Sequence, residues 1–462
     1  MTFSLSGKRV LVIGLGLHGG AIGTITWLAQ QGAIITVTDK KTEEELAESV
    51  AKLSSIPNIT YHLGGHTPED VAHADLIIRN PAVPRTSELL TLAREKNIPV
   101  AMDSSLFFEH SPSKHVIGIT GSKGKTTCST AIATVLSTIN SKTVAVGIDG
   151  VSPLGMLNAI TPESPVVFEL SSWRLEALGE IKRSPHIAVV TSIYRDHLNT
   201  YESFEEYIAT KKLIITHQAA EDIAILNADD EILRTWEADV PSTLYWFSTS
   251  ALSDKQGIWI ESGMIIARLT SENISLCPLS DIPHTSDHEL RNKLPALFIA
   301  LLEGASPEQA VAALQTMKPL MHRLQLVRTH QGVRYINDSA ATMPDAAVAA
   351  LKAIQTPLIM ILGGSDKALI FHDLAKALGT SSVKELIWLP GTATDRMKEE
   401  ILPHVSIPSI DASSMEEAVT LASAKAQEGD SVLLSPGATS FGLFLHEFDR
   451  GNTFITAVEN LK

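Results

Sequence analysis

Residues 115–127 read HVIGITGSKGKTT, and their order describes a cradle for polyphosphate. A β-branched run, Val116, Ile117 and Ile119, leads into a glycine-rich turn that ends in Lys125, Thr126 and Thr127 at the mouth of an expected helix. Backbone N–H groups of such a turn and the positive end of the helix together face phosphate oxygens. Lys125 would reach the outer phosphates, and Thr126 would offer its hydroxyl to Mg²⁺. The full spacing G-x-x-x-x-G-K-[ST] asks for glycine where this chain has Ile119. What is present is a shorter form, Gly121-Ser122-Lys123-Gly124-Lys125-Thr126. Strand, loop, Lys-Thr pair and helix stand in the order that ATP or GTP binding needs. The alternative is a glycine-rich turn with no ligand.

Four further groups carry chemistry. Gly14-Leu15-Gly16-Leu17-His18-Gly19 follows the strand-like run KRVLVI, and Asp39 closes the next strand. This resembles a dinucleotide-binding pattern, but physically it states only that a helix N-terminus is open to an anion. A nucleotide sugar fits as well as NAD, and a bare tight turn is the third possibility. Glu169 ends the apolar strand PVVFEL, where an acid beside a phosphate loop can hold Mg²⁺. Asp196-His197 follows the strand HIAVVTSI; His197 suits a metal ligand, a general base or a substrate contact. Asn337-Asp338-Ser339-Ala340-Ala341-Thr342 and Leu362-Gly363-Gly364-Ser365-Asp366-Lys367 each follow a strand. Asp338 would bond ribose hydroxyls, Thr342 a second substrate, and Lys367 a carboxylate.

The elements that must position these residues alternate strand and helix, which implies parallel sheets of an α/β fold. Three units are expected. Residues 1–110 form a Rossmann-like unit, with strands at Lys8–Ile13, Ala33–Thr38, Leu76–Ile78 and Val100–Met102. Pro112 marks the linker to a nucleotide unit at 111–324, with strands at Thr143–Ile148, Val166–Leu170, His186–Ile193 and Asp222–Leu226. Leu244–Phe247 and Ile258–Ala267 follow as a β-rich stretch, then a buried helix at Glu289–Leu302. A second Rossmann-like unit at 325–462 has strands at Val333–Ile336, Leu358–Leu362, Glu385–Leu389 and Ser431–Leu434.

The chain has 462 residues, 44% hydrophobic and 19% charged, a globular composition with ample material for cores. A net charge of −15 leaves no basic surplus for nucleic acid. The two cysteines, Cys128 and Cys277, fit neither a disulfide framework nor a metal spacing, and Cys128 reads as a packing residue. No signal-peptide layout and no run near the ~18 residues of a membrane span is present, so a cytoplasmic protein, monomeric by default, is expected.

Taken together, these residues resemble the Mur ligases, which build the peptide stem of bacterial peptidoglycan. The resemblance covers nearly the whole chain. Its most specific segments are IGLGLHGG at 13–20, TGSKGKTT at 120–127, ELSSWRLE at 169–176, DHLNTYESFEEYIATKK at 196–212, YINDSAAT at 335–342 and the DRGN-containing tail. It implies three domains. The first would hold a uridine diphosphate sugar near residues 14–19, and the second would bind ATP at 121–127. Thr126 and Glu169 would hold Mg²⁺, with a second ion near His197. Tyr207 and Lys211 fit a family Y-x-x-x-K pattern whose lysine is carbamylated, although Lys212 is adjacent. Asn292 resembles the adenine-contacting residue, and Arg323 and Asp338 resemble further ATP ligands. Thr342, Lys367, Ser440 and Phe448 stand where the family binds the incoming amino acid. The implied reaction joins D-glutamate to UDP-N-acetylmuramoyl-L-alanine through an acyl phosphate, with Lys125 and His197 assisting.

Within the same superfamily, a ligase for L-glutamate or another amino acid, or a folylpolyglutamate-type enzyme, is the alternative. An NAD-dependent oxidoreductase would leave the phosphate loop without a task, and a nucleotide-sensing scaffold would have no use for Lys125, Glu169 and Lys211 together. Three segments depart from the family. No lysine occurs in Asp338-Ser339-Ala340, a GNIG-like segment reads Gly147-Ile148-Asp149-Gly150, and an EHN segment reads Asp287-His288-Glu289.

Overall fold

The computed structural model describes residues 4–17, 19–81, 83–195, 200–284, 286–366, 369–440 and 442–461. They form two compact units, Met1–Met317 and Lys318–Lys462.

The first unit holds two sheets. One is five-stranded and wholly parallel, in the order Ile59–Leu63, Ile34–Asp39, Arg9–Ile13, Leu76–Arg79, Val100–Ala101. The other has nine strands. Its order is Asn273–Pro278, Met264–Arg268, Gly257–Glu261, Thr243–Ser248, Ile223–Asn227, Ile187–Val190, Val116–Thr120, Val166–Glu169, Val144–Val146, and only the first two pairings in this order are antiparallel. One hydrophobic cluster joins the sheets, bringing Val10, Val12 and Ile25 together with Phe107, Phe168 and Val190. The second unit carries a six-stranded sheet, in the order Gln325–His330, Val333–Asn337, Ser431–Leu434, Leu358–Leu362, Val383–Trp388, Ser409–Asp411. Only its first pair is antiparallel.

Central strands such as VIGIT (116–120) and LIMIL (358–362) are buried at every position. Helices on both faces demand such continuous apolar runs. Arg9–Ile13 and Val116–Thr120 each lie between two parallel neighbours reached in opposite directions, so the loops that follow them open at topological switch points. The helix after the first loop, Gly20–Gln30, has 11 residues. Helix Asp287–Leu302 packs on the phosphate-loop helix Lys125–Ile139 and is buried from Asn292 to Leu301, as its all-round apolar pattern predicts.

The structure adds to the sequence reading in two ways. The β-rich run at 258–267 is a hairpin of two strands. Ser262 (φ 51°) and Gly263 (φ 76°) turn left-handed between Glu261 and Met264, the chemistry of a tight turn. Four strands lacked any apolar run in the sequence: Ile59–Leu63, Asn273–Pro278, Gln325–His330 and Ser409–Asp411. Each lies at the edge of its sheet, where alternate residues face water.

Candidate active site

The phosphate loop is built from its glycines outward. Gly121 (φ 148°) and Gly124 (φ 86°) hold backbone shapes that side chains rarely adopt. A Cβ on Gly121 would stand 2.0 Å from Thr191 Oγ1, and one on Gly124 would stand 2.4 Å from Asn292 Nδ2. Gly124 caps the helix that opens with Lys125, Thr126 and Thr127, so that helix presents its N-terminal N–H groups at the turn.

The segment after strand Ile187–Val190 braces the loop. Ser122 N donates to the Ser192 carbonyl at 2.7 Å, Lys123 N to Ser192 Oγ at 3.2 Å, and Thr191 Oγ1 to the Lys123 carbonyl at 2.6 Å. Ser122 Oγ accepts from Tyr194 N at 2.9 Å and lies 3.1 Å from the Tyr207 hydroxyl. Asp230 in turn accepts from Ile193 N at 2.7 Å. Thr191 and Ser192 stand near the end of the run HIAVVTSI, and Asp230 closes the segment LNADD at 226–230; the sequence alone assigns none of the three the role of bracing the phosphate loop.

Two lysines converge on this turn. Lys125 Nζ donates to the carbonyls of Gly121 (2.9 Å) and Ser122 (3.2 Å). Lys211 is 2% exposed, and its Nζ donates to Thr120 Oγ1 at 3.0 Å and to the Gly121 carbonyl at 3.1 Å. Helix Phe204–Thr216 sets Tyr207 and Lys211 one turn apart, and the ammonium lies 5.4 Å from the Tyr207 ring centroid. The neighbouring Lys212 points elsewhere, to Asp239.

Glu169 ends the strand paired with Val116–Thr120, in register with Ile119. Its Oε2 is buried and has no hydrogen-bond partner among the described residues. Asn292 Oδ1, beside Gly124, is likewise buried and unpartnered there. Such orphaned acceptors are costly unless a ligand meets them. No cluster of three or more His, Cys, Asp or Glu is placed for a metal among the described residues. A lone carboxylate oxygen with the Thr126 hydroxyl close in sequence to the loop nevertheless fits Mg²⁺, which keeps most of its waters and takes few protein oxygens. His197 lies outside the described residues. Cys128, on the same helix, is fully buried, and burial with the nearby Glu169 charge pushes its thiol well above the usual range.

The first glycine loop closes on itself. Gly14, Gly16 and Gly19 all have positive φ. Asp39 Oδ2 accepts from Leu15 N (2.8 Å) and Gly16 N (3.1 Å), and Oδ1 accepts from Lys41 N (2.9 Å). The acid that a dinucleotide reading would assign to ribose is therefore engaged by the loop backbone. Leu17 flanks the turn, and His18 lies outside the described residues.

In the second unit three loops meet at the C-terminal ends of adjacent parallel strands. Gly437 N donates to the Ala341 carbonyl (2.9 Å), and Gly363 N to the Pro436 carbonyl (3.1 Å). Arg450 is wholly buried; it donates through Nε and Nη2 to Ser339 and through Nη1 to the Ala438 carbonyl. These bonds bring the loop of Thr342 beside that of Ser440, which is 2% exposed. Phe448 stacks obliquely near His322 at 5.6 Å between ring centroids. Lys367 lies outside the described residues, and Arg323 is exposed. Asp338 accepts from Ser435 Oγ (2.7 Å) and Leu324 N (3.2 Å). Burial nonetheless pushes its carboxyl up to about 7, against those bonds and the nearby Arg323 and Arg450 charges.

Comparison with known proteins follows the same order along the chain. Residues 8–102 match the Mur ligase MurD-like N-terminal domain, 119–300 the Mur ligase middle domain, and 322–437 the Mur ligase glutamate ligase domain. The UDP-N-acetylmuramoylalanine--D-glutamate ligase of Roseiflexus sp. (strain RS-1) is 38% identical over 467 residues, covering 99% of each chain. That of Clostridioides difficile (strain 630) is 33% identical, covering 99% of this chain and 100% of its own. Among solved structures, UDP-N-acetylmuramate-alanine ligase MurC of Thermotoga maritima shares the fold, with a TM-score of 0.65 at 16% identity over 98% of this chain and 100% of its own. A pseudomurein peptide ligase type C of Methanothermus fervidus does so with a TM-score of 0.59 at 19% identity over 99% and 100%. Three Mur ligase domain models thus match the chain in order, relatives above 30% identity cover 99% of it, and the chain belongs to the Mur ligase family.

Proposed function

We propose that the protein joins D-glutamate to UDP-N-acetylmuramoyl-L-alanine at the expense of ATP, a step of peptidoglycan precursor synthesis. The observation that carries this reading is the convergence of Lys125 and Lys211 on the Gly121 carbonyl, beside the orphaned Glu169 oxygen. Full-length likeness to D-glutamate ligases chooses the substrates.

The chemistry follows from charge. A carboxylate is a poor electrophile. Its oxygen attacks the γ-phosphorus of ATP, ADP leaves, and an acyl phosphate forms. The amine of glutamate then attacks the acyl carbon, loses a proton, and expels inorganic phosphate. The N–H groups at 121–127 and the Lys125 ammonium stabilise the charge that grows on the transferring group. Thr126 and Glu169 are the residues that would hold Mg²⁺, whose contribution when bound is to neutralise phosphate oxygens. Lys211 is the lysine proposed to add CO₂. Its ammonium first gives up a proton, the neutral amine nitrogen bonds to the carbon of CO₂, and a second proton leaves that nitrogen, so that a cation becomes an anionic oxygen donor. His197 is proposed to orient or deprotonate the attacking amine.

Residues 1–110, with Gly14–Gly19, are assigned to the UDP sugar, 111–324 to ATP, and 325–462 to the amino acid. Asn292 is the proposed adenine contact, and Arg323 and Asp338 are further ATP ligands. Thr342, Lys367, Ser440 and Phe448 are assigned to glutamate. Phosphate release from ATP with UDP-N-acetylmuramoyl-L-alanine, in the presence of D-glutamate, L-glutamate or neither, tests the reading. Release that requires the D-isomer is expected; release with the L-isomer alone would redirect the assignment.

A further inference from the structure

Arg174 lies in helix Ser172–Glu180, shortly past Glu169 in sequence, and the negative charges of Asp103 and Glu169 both favour its charged form. Its side chain is 12% exposed, and that of its partner Asp103 is 8% exposed. Nε donates to Asp103 Oδ1 at 3.2 Å and Nη2 to Oδ2 at 2.7 Å, a two-pronged pairing that fixes the guanidinium plane. The remaining nitrogen, Nη1, reaches two backbone carbonyls, Glu169 at 3.1 Å and Gly147 at 3.4 Å. The plane rests near the Phe168 ring, 5.3 Å from its centroid.

Gly147 opens a turn of unusual shape. Gly147 (φ 75°), Asp149 (φ 48°) and Gly150 (φ 79°) all sit in the left-handed region, which for Asp149 costs on the order of 1 kcal/mol. A side chain at 147 would collide with Arg174 Nη1 and the Glu169 carbonyl, both 2.7 Å away. At the far end of the turn, the Gly150 carbonyl stands 3.7 Å from where a Cβ on Gly19 would lie. Glu169 borders the phosphate loop, and Gly19 belongs to the first glycine loop. One guanidinium thus braces the strand end of the first and the turn that passes near the second. A lysine ammonium cannot reproduce three directions in one plane.

We propose that Arg174, locked in place by Asp103, is a positioning residue that aims the Glu169 carboxylate at the phosphate loop and couples it to the sugar-nucleotide loop through the 147–150 turn. The identity of the two ligands rests on the function proposed above; the bracing does not.

The test uses the full chain and the variants Arg174→Ala, Arg174→Lys and Asp103→Asn. Equilibrium binding of a fluorescent ATP analogue is followed across a magnesium titration, alongside KM for each of the three substrates and thermal unfolding. For Arg174→Ala the half-saturating magnesium concentration is expected to rise about tenfold, the scale seen when a residue orienting a metal ligand is removed. The KM for the UDP sugar should rise with it, while that for D-glutamate stays within about twofold. Arg174→Lys and Asp103→Asn should show the same pattern more weakly, and they decide the matter if Arg174→Ala fails to fold. An unmoved magnesium requirement, or equal shifts in all three KM values, would overturn the positioning role. A wild-type chain that bound no nucleotide at any magnesium concentration would overturn the functional reading first.

Discussion

Lys125 and Lys211 bring two amines to one carbonyl oxygen, that of Gly121. Two ammonium groups so close repel unless an anion or loss of one charge relieves them. Lys125→Ala is expected to lower turnover at least about a hundredfold, the range for losing one group that stabilises a transition state, with thermal unfolding nearly unchanged. Steady-state phosphate release and a melting curve check this; a variant that stays active would refute the phosphate-loop assignment. Lys211→Ala should lose activity that small carboxylates partly restore, whereas Lys212→Ala, removed from an exposed pair with Asp239, should stay near wild type. Asp338 makes a prediction about pH. Its folded carboxyl, raised to about 7, lies above the roughly 3.9 of an unfolded aspartate. Between those values the folded chain holds a proton the unfolded chain has lost, so its contribution to stability is full below about 4 and is lost as pH climbs through about 7. Asp338→Asn removes that slope. The drop in Tm from pH 5 to pH 8 should therefore be smaller in the variant than in the parent, and an equal drop would mean Asp338 is already ionised in the fold.

Between elements, the most demanding contact in the first unit is ionic. Glu176, in helix Ser172–Glu180, accepts from Arg79 Nη2 at 2.8 Å, with both side chains 8% exposed, and from the Tyr201 hydroxyl at 2.8 Å. Arg79 ends a strand of the five-stranded sheet. Truncating Glu176 to alanine strands a buried guanidinium, and such losses run to about 3–5 kcal/mol. Denaturant unfolding of Glu176→Ala should show a loss of that order, and a loss below about 1 kcal/mol would mean the pair is solvated. The elements differ in how plainly the sequence announces them. Central strands and the helix at 287–302 are legible because burial on every side forces an unbroken apolar run. Edge strands such as Gln325–His330 are not, because half of each faces water. The phosphate loop is legible because glycine and lysine are the residues its geometry admits. Arg174 and Arg450 stand inside the ELSSWRLE and DRGN segments, but what they and Asp103 hold is not legible, because their partners are backbone carbonyls and distant acids, and nothing local in sequence marks a bond across 71 residues.

At the scale of the chain, the buried clusters respect the two compact units: those of residues 5–317 and those of residues 324–461 share no member. Each unit therefore has its own reason to fold. Residues 318–462 expressed alone should melt cooperatively and show a dispersed NMR spectrum; a molten fragment would mean that its core depends on the rest. The whole chain also shares one property that concerns its vulnerability. Cys128 is fully enclosed, Cys277 is 6% exposed with its thiol pushed up to about 11, and thiolate is the form that reacts. Thiol-directed warheads will find no accessible thiolate on Cys128 or Cys277, so small molecules meant to block this protein have no cysteine anchor and must win by fit.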